Sequence, residues 1–138
     1  AGGLWSSCAT GFRPGVDPKR DVERLGLLCG PVNGMRRLGQ PVEGRAGAEP
    51  SRHALPVSAG VCYRIFAAAE PGVADLDVAV ASPRGSRLAS DDTRGRVVMV
   101  EAERPFCSFA DDQLTIEVST ASGTGGYALQ IYQLPANR

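Results

Sequence analysis

Four stretches of the chain decide its fold: VCYRIFA (61–67), DLDVAV (75–80), QLTIEVS (113–119) and YALQIY (127–132). In each of them, apolar residues alternate with polar or small residues. A period of two with one apolar face is typical of half-buried antiparallel strands. Glycines and prolines separate the stretches, so the sequence predicts a sandwich of two sheets. A further strand is expected at 97–100 (VVMV), which is apolar on both faces and is therefore predicted to be central.

The N-terminal part of the chain predicts one helix. Asp17 is suited to cap it and Pro18 to occupy its first position, while Gly30 and Pro31 would end it. A helix this short is marginal alone, so its apolar side must pack on another element. That side is predicted to consist of Val22, Leu25, Leu28 and Cys29.

The stretch between the helix and the first predicted strand is polar, rich in glycine and without periodicity. We therefore expect three parts: a helical extension (1–38), a linker (39–56) and a β-sandwich (57–138).

Composition limits the classes of partner. The 138 residues are 43% hydrophobic and 22% charged, as in a globular protein. Fifteen basic residues balance fifteen acidic ones, so no overall field attracts nucleic acid or an anionic membrane. The apolar runs are too short for insertion into a bilayer. We expect no nucleic-acid partner and no membrane insertion.

The four cysteines are the strongest compositional feature: Cys8, Cys29, Cys62 and Cys107. The chain has no CxxC pair, and its one histidine, His53, is not spaced as a zinc ligand. A reduced catalytic cysteine would need a histidine partner, and His53 lies in the predicted linker. Two disulfides are therefore expected.

Three disulfide pairings are possible, and we favour Cys8–Cys29 with Cys62–Cys107, because each bridge then stays within one segment of the chain. Each would stabilise the fold by roughly 3–4 kcal/mol through loop closure. Disulfides imply an oxidising compartment. Because the chain begins at Ala1 without a methionine, we expect a secreted or cell-surface protein after removal of a signal peptide.

Several short motifs resemble the bacterial pre-peptidase C-terminal domain. That family has an ADLDV strand, a P-x-G turn, an S-D-D strand end and a final strand in which a glycine precedes the pattern Y-x-L-x-V. The corresponding residues here are Ala74–Val78, Pro83–Gly85, Ser90–Asp92 and Gly126–Ile131. The resemblance covers about residues 57–134. Cys29–Met35 is also similar to a CGP-x-x-GM element of a disulfide-bonded variant in secreted proteins of myxobacteria.

The resemblance implies a fold and a class of function. The fold is all-β, a jelly-roll-like antiparallel β-sandwich, here with a short, disulfide-pinned N-terminal helical extension. The family implies no catalytic residues and an accessory role on secreted proteins.

Asp75, Asp77 and Asp92 form a candidate calcium site. Asp75 and Asp77 share a strand face by alternation, and a two-residue turn at Arg84-Gly85 would place Asp77 opposite Asp92. Facing like charges are destabilising unless something offsets them. Ca²⁺ could do so with carboxylate ligands, but neighbouring arginines or water would serve equally. No cofactor is required on this interpretation, and Ca²⁺ is a possible ligand.

We assign no catalytic residue and predict that the chain is not an enzyme. A glycosidase needs two carboxylates facing each other across a cleft, and a serine hydrolase needs a GxSxG motif that the sequence lacks.

The predicted function is that of a secreted, non-catalytic interaction or structural protein, in one of two forms. It could be the self-assembling subunit of an extracellular fibre or surface layer, or a monomeric accessory module that binds an extracellular polymer, polysaccharide or protein. Zero net charge and the separate N-terminal segment favour assembly. Residues 1–5 could add as a strand to a neighbour's sheet, or fold back on their own helix. The candidate partner-binding residues are Leu4, Trp5 and Tyr132.

Overall fold

The computed structural model describes residues 8, 12–29, 35–91, 95–100 and 106–135. Within these ranges the chain has one helix longer than two turns and a series of strands. In chain order these elements are α1 (Pro18–Cys29), β1 (Arg36–Arg37), β2 (Val42–Ala46), β3 (Ser51–Val57), β4 (Val61–Ala69), β5 (Leu76–Ala81), β6 (Arg87–Ser90), β7 (Val97–Val100), β8 (Phe106–Ser108), β9 (Asp112–Thr120) and β10 (Gly125–Pro135).

The strands form two antiparallel sheets. In the first sheet, β10 pairs with β4 along one edge and with β1 and β2 along the other. The outer edge of β4 pairs with β7 and β8. The second sheet has the order β3-β9-β5-β6. The expected all-β sandwich is confirmed.

The main core lies between the two sheets. Alternate residues of β4 and β10, such as Ile65 and Leu129, face alternate residues of the second sheet, such as Leu55, Val78 and Ile116, and all of these are buried. Burying one such side chain contributes about 1.5–3 kcal/mol. In the second sheet, the alternating apolar residues therefore face the core, as the sequence predicts.

The predicted linker at 39–56 is wrong, because this stretch supplies two strands. β2 pairs with residues 125–129 of β10, and β3 pairs along its whole length with β9. β2 lacks the apolar alternation of a strand, and β3 contains Pro56, which an edge strand tolerates. Their connection is held by two hydrogen bonds, from the Ser51 hydroxyl to the Arg45 carbonyl (2.9 Å) and from the Thr120 amide to the Gly47 carbonyl (2.9 Å).

Helix α1 begins as the sequence predicts. The Asp17 carboxylate accepts a hydrogen bond from the Lys19 amide at 3.1 Å, and Pro18 takes the first helical position. The buried Asp21 carboxylate accepts hydrogen bonds from the Gly15 amide, both at 2.9 Å, and from the Arg24 guanidinium at 3.2 Å. No helix in the described ranges combines the length and the apolar character needed to cross a bilayer.

The helix covers the outer face of the first sheet. Leu25 and Cys29 pack with Phe66, Met99 and Tyr132. Tyr132, one of the candidate partner-binding residues, is 5% exposed: the alternation places it on the face opposite the main core, and α1 covers it there.

The apolar side of α1 differs from the predicted one. Leu28 is 56% exposed, whereas Gly26 is buried. A Cβ added at Gly26 would collide with the Tyr132 hydroxyl, so the absence of a side chain allows the helix to approach β10 closely.

Strand β7 is not central. It pairs with β4, and no other described strand pairs with it. Its apolar character has another cause: Val98 and Val100 join the main core, while Met99 packs beneath the helix.

Substitution of Gly26 tests the helix–sheet contact. In an open helix, Gly→Ala adds about 1 kcal/mol of stability, but overpacking costs about 1–3 kcal/mol. We expect Gly26→Ala to lower the free energy of unfolding by about 1 kcal/mol in urea denaturation. The double variant Gly26→Ala/Tyr132→Phe lacks the colliding hydroxyl. Its free energy of unfolding should therefore be no lower than that of the single variant Tyr132→Phe. A stabilising G26A single variant would contradict the packing.

Candidate functional site

The four cysteines form the favoured pairs. Cys8 is bonded to Cys29 with an S–S distance of 2.00 Å, and Cys62 to Cys107 with 1.99 Å. The first bridge ties the segment before α1 to the end of the helix. The second joins residues that stand opposite each other on β4 and β8. Both bridges are structural, and the expected pairing is confirmed.

The predicted acidic cluster lies at the beginning of β5. Asp75 is half-buried and accepts a hydrogen bond from the Gly95 amide at 3.2 Å, while Asp77 is exposed. Asp92 lies outside the described residues. The structure adds a carboxylate that the sequence analysis did not single out: Asp91, which accepts a hydrogen bond from the Val78 amide at 2.7 Å.

These carboxylates disfavour one another's charged forms. Burial raises the pKa of Asp91, and the negative charges of Asp77 and Asp75 raise it further, against the Val78 hydrogen bond that lowers it. Partial burial and Asp75 likewise raise the pKa of Asp77, while Arg87 lowers it. Arg87, an arginine that the sequence analysis did not single out, is therefore a local counter-charge.

The cluster borders a polar groove on the outer face of the second sheet. The groove has a volume of about 380 Å³. On its far side, Glu117 forms an ion pair with Arg52 at 3.3 Å. Such a groove can accept hydrogen bonds from hydroxyl groups or attract a cation. It is lined by Pro50, Asp77, Val78, Ala79, Arg87, Ser90, Asp91, Glu117 and Ser119.

The calcium site stays a prediction. Within the described ranges, no group of three or more His, Cys, Asp or Glu side chains is arranged to hold a metal ion. Of the three predicted ligands, the structure places Asp75 and Asp77 near each other at the start of β5.

His53 lies in strand β3 and contacts the buried Tyr127. Its Nε2 atom lies 2.5 Å from the hydroxyl oxygen of Tyr127, and the two rings meet edge to face at 5.8 Å. Tyr127 is 1% exposed, and its hydroxyl lies so close to Gly44 that a Cβ there would collide with it. This contact closes the corner between β2 and β3 and leaves the tyrosine almost inaccessible to solvent. Burial lowers the pKa of His53.

A second surface feature lies beside the helix, and we name it the α1 patch. It consists of the exposed Leu27 and Leu28 and an adjoining groove of about 470 Å³. Glu23 and Arg37 carry opposite charges along this groove. The groove is lined by Glu23, Gly26, Leu27, Arg37, Gln130 and Tyr132.

The remaining predicted partner-binding residues, Leu4 and Trp5, lie outside the described residues. The sequence contained one signal for the α1 patch: Leu27 and Leu28 are adjacent, so a helix of this length cannot bury both on one narrow stripe. It contained no signal that distinguishes Asp91 from Asp92.

The chain is similar to the crystal structure of the pre-peptidase C-terminal domain of a collagenase from Bacillus anthracis, with a TM-score of 0.54. The match covers 68% of this chain and 89% of that one, at 14% sequence identity. This chain has the fold of the pre-peptidase C-terminal domain.

The other comparisons give no match: no protein-family model and no curated protein matches the chain. The support for the resemblance drawn from the short motifs comes from the likeness in fold to the collagenase domain. The finer resemblance to a myxobacterial variant stays a prediction, and residues 30–34 of its CGP-x-x-GM element lie outside the described residues.

The pH dependence of stability tests the corner contact. His53 is the one histidine of the chain, and its pKa is lower in the folded protein than the ordinary 6.5. A proton therefore binds more tightly to the unfolded chain, so the contribution of His53 is complete above pH 6.5 and is lost as the pH falls below it. We expect the midpoint temperature of thermal unfolding to decrease as the pH is lowered from 7.5 to about 5.5.

The matched variant is His53→Gln, which can keep a hydrogen bond to Tyr127 without titrating. Its midpoint should change less over the same pH interval. Equal pH dependence in the two proteins would show that His53 is not the group responsible.

Neutralising Asp77 tests the repulsion among the carboxylates. We expect Asp77→Asn to raise the free energy of unfolding at pH 7 by about 0.5 kcal/mol at low salt, and less at 1 M salt, where the charges are screened. Glu117→Gln is the control on the same groove: it removes an ion pair with Arg52 and should not stabilise. A destabilising D77N would show that the carboxylate is held by a favourable partner.

Calcium is tested with the same proteins. If Asp75, Asp77 and Asp92 bind Ca²⁺, millimolar CaCl₂ will raise the midpoint of the wild type and not that of D77N. If the arginines suffice, CaCl₂ will leave both unchanged.

Proposed function

We propose that the chain is a secreted, non-catalytic interaction protein that assembles with copies of itself outside the cell. It needs no cofactor for this function. In the proposed assembly, the N-terminal residues 1–5 of one copy add as a strand to an open sheet edge of the next.

The compartment is supported by the two disulfides and the fold. Disulfides persist in oxidising environments such as the extracellular space. The neighbour of known structure is a domain of a collagenase, and the secreted location is proposed for this chain by analogy.

A non-catalytic role is supported by the use of the titratable groups. His53, the chain's single histidine, is committed to Tyr127 in the corner. The carboxylates with raised pKa values lie in an open groove, with Arg87 as neighbouring charge. Neither arrangement pairs an acid with a base across an enclosed cleft, which general acid–base catalysis requires.

The observation that carries the assembly proposal is the edge strand β6. It pairs with β5 on one side, and among the described residues no strand pairs with its other side. An unprotected edge offers a row of N–H and C=O groups to another chain. The opposite end of the second sheet is β3, where the sandwich is closed by the β2–β3 corner. Leu88 on β6 is 45% exposed and provides an apolar contact for Leu4 or Trp5 of the incoming strand.

A monomeric polymer-binding module is the second candidate. The polar groove beside Asp77 and Arg87 favours it, because carboxylate and guanidinium groups bind the hydroxyl groups of polysaccharides. The two functions predict different masses in solution.

Sedimentation velocity with electron microscopy of the full chain tests the proposal. The wild type should form species much larger than 14.4 kDa, and deletion of residues 1–5 should abolish them. Leu88→Lys should also abolish them, because a charged edge resists strand addition. Val16→Lys is the matched control: Val16 is 77% exposed and lies before the helix, so this variant should assemble normally.

Two results would overturn the assembly proposal. One is a wild type that sediments as a monomer at every concentration, and the other is an L88K variant that assembles as fully as V16K. Retention of the monomer on a polysaccharide column would then favour the second candidate.

A further inference from the structure

The last turn of α1 exposes apolar side chains where a solvated helix would carry cations. Leu27 is 83% exposed and Leu28 is 56% exposed. The last turn contains no basic residue, although a positive charge there would stabilise the helix dipole. Two adjacent exposed leucines at a rigid position, pinned by the Cys8–Cys29 bridge, are typical of a covered surface.

The groove of the α1 patch is bordered by Leu27, the more exposed of the two leucines. Gly26 contributes no side chain to it, and Tyr132 and Gln130, which are 5% and 2% exposed, border it beneath the helix. Its volume of about 470 Å³ accommodates aliphatic side chains. The patch therefore has a projecting apolar side chain, that of Leu27, and a groove that can receive such a side chain.

The charges of the patch are also complementary. Glu23 lies one helical turn before Leu27 and so projects on the same face. Arg37 projects from β1, and the oxygen of the Gln130 amide accepts hydrogen bonds from its guanidinium at 3.2 and 3.3 Å. Arg37 is thus held in position before any partner arrives. No described ion pair joins Glu23 and Arg37 within the chain.

We propose that the α1 patch is a two-fold interface with a second copy of this chain. A two-fold contact requires a self-complementary surface, which the patch provides. Leu27 of each copy enters the groove of the other, and Glu23 of each copy pairs with Arg37 of the other. This interface extends the proposed self-association but uses neither the β6 edge nor residues 1–5.

The size of the patch sets the expected affinity. A contact built on three turns of helix is at the small end of specific interfaces. We therefore expect a dimer with a micromolar dissociation constant.

The experiment uses the full-length L88K variant, because it removes assembly through the β6 edge. Sedimentation equilibrium should give a species of twice 14.4 kDa that dissociates on dilution. Adding Leu27→Lys should weaken the dimer more than tenfold, whereas adding Val16→Lys should leave it unchanged. A monomeric L88K protein, or equal effects of L27K and V16K, would overturn the interface even if the wild type forms large assemblies.

A charge exchange tests the reciprocal arrangement. Glu23→Arg should weaken the L88K dimer at least fivefold, and Glu23→Arg with Arg37→Glu should restore it. A double variant as weak as the single one would overturn the pairing.

The N-terminal segment is the competing occupant of the groove. It precedes Cys8, which is bonded to the end of the same helix. If deleting residues 1–5 from the L88K variant abolishes the dimer, that segment fills the groove and the two-fold interface is wrong. A dimer that survives the deletion supports it.

Discussion

Strand β4 is buried on both faces, and the rest of the architecture follows from this. Every residue of β4 after Val61 is buried, including Arg64, which is fully inaccessible. One face packs on the second sheet, and helix α1 covers part of the other. A strand in this position forms the middle of a three-layer arrangement. The bridge from Cys8 to Cys29 is important because it fixes the third layer, which is one short helix, to the chain before it.

The sequence predicted the strands that bury one face and the features that depend on neighbouring residues of the chain. Alternation located β5 and β9, Asp17 and Pro18 located the start of α1, and the cysteine spacing favoured the observed pairing. It failed where a second layer decides burial. Tyr132 alternates like a surface residue, but the helix covers it.

The strands β2 and β3 were missed for a related reason. The sequence of β2, VEGRA, has no apolar stripe. Its Gly44 leaves space for the hydroxyl of Tyr127, a residue of β10 that fills the corner of the sandwich. That contact joins residues far apart in the chain, and no local pattern reports it. Likewise, nothing in the sequence indicates that Asp91 and not Asp92 accepts the hydrogen bond from the Val78 amide.

The position of β10 has a mechanical consequence. This strand is hydrogen-bonded to β4 along residues 127–135 and to β1 and β2 along its other edge. A force pulling lengthwise on it loads those bonds in shear, so many must rupture together. Under such a force β10 would resist more strongly than β6, an edge strand that pairs, among the described strands, with β5 alone.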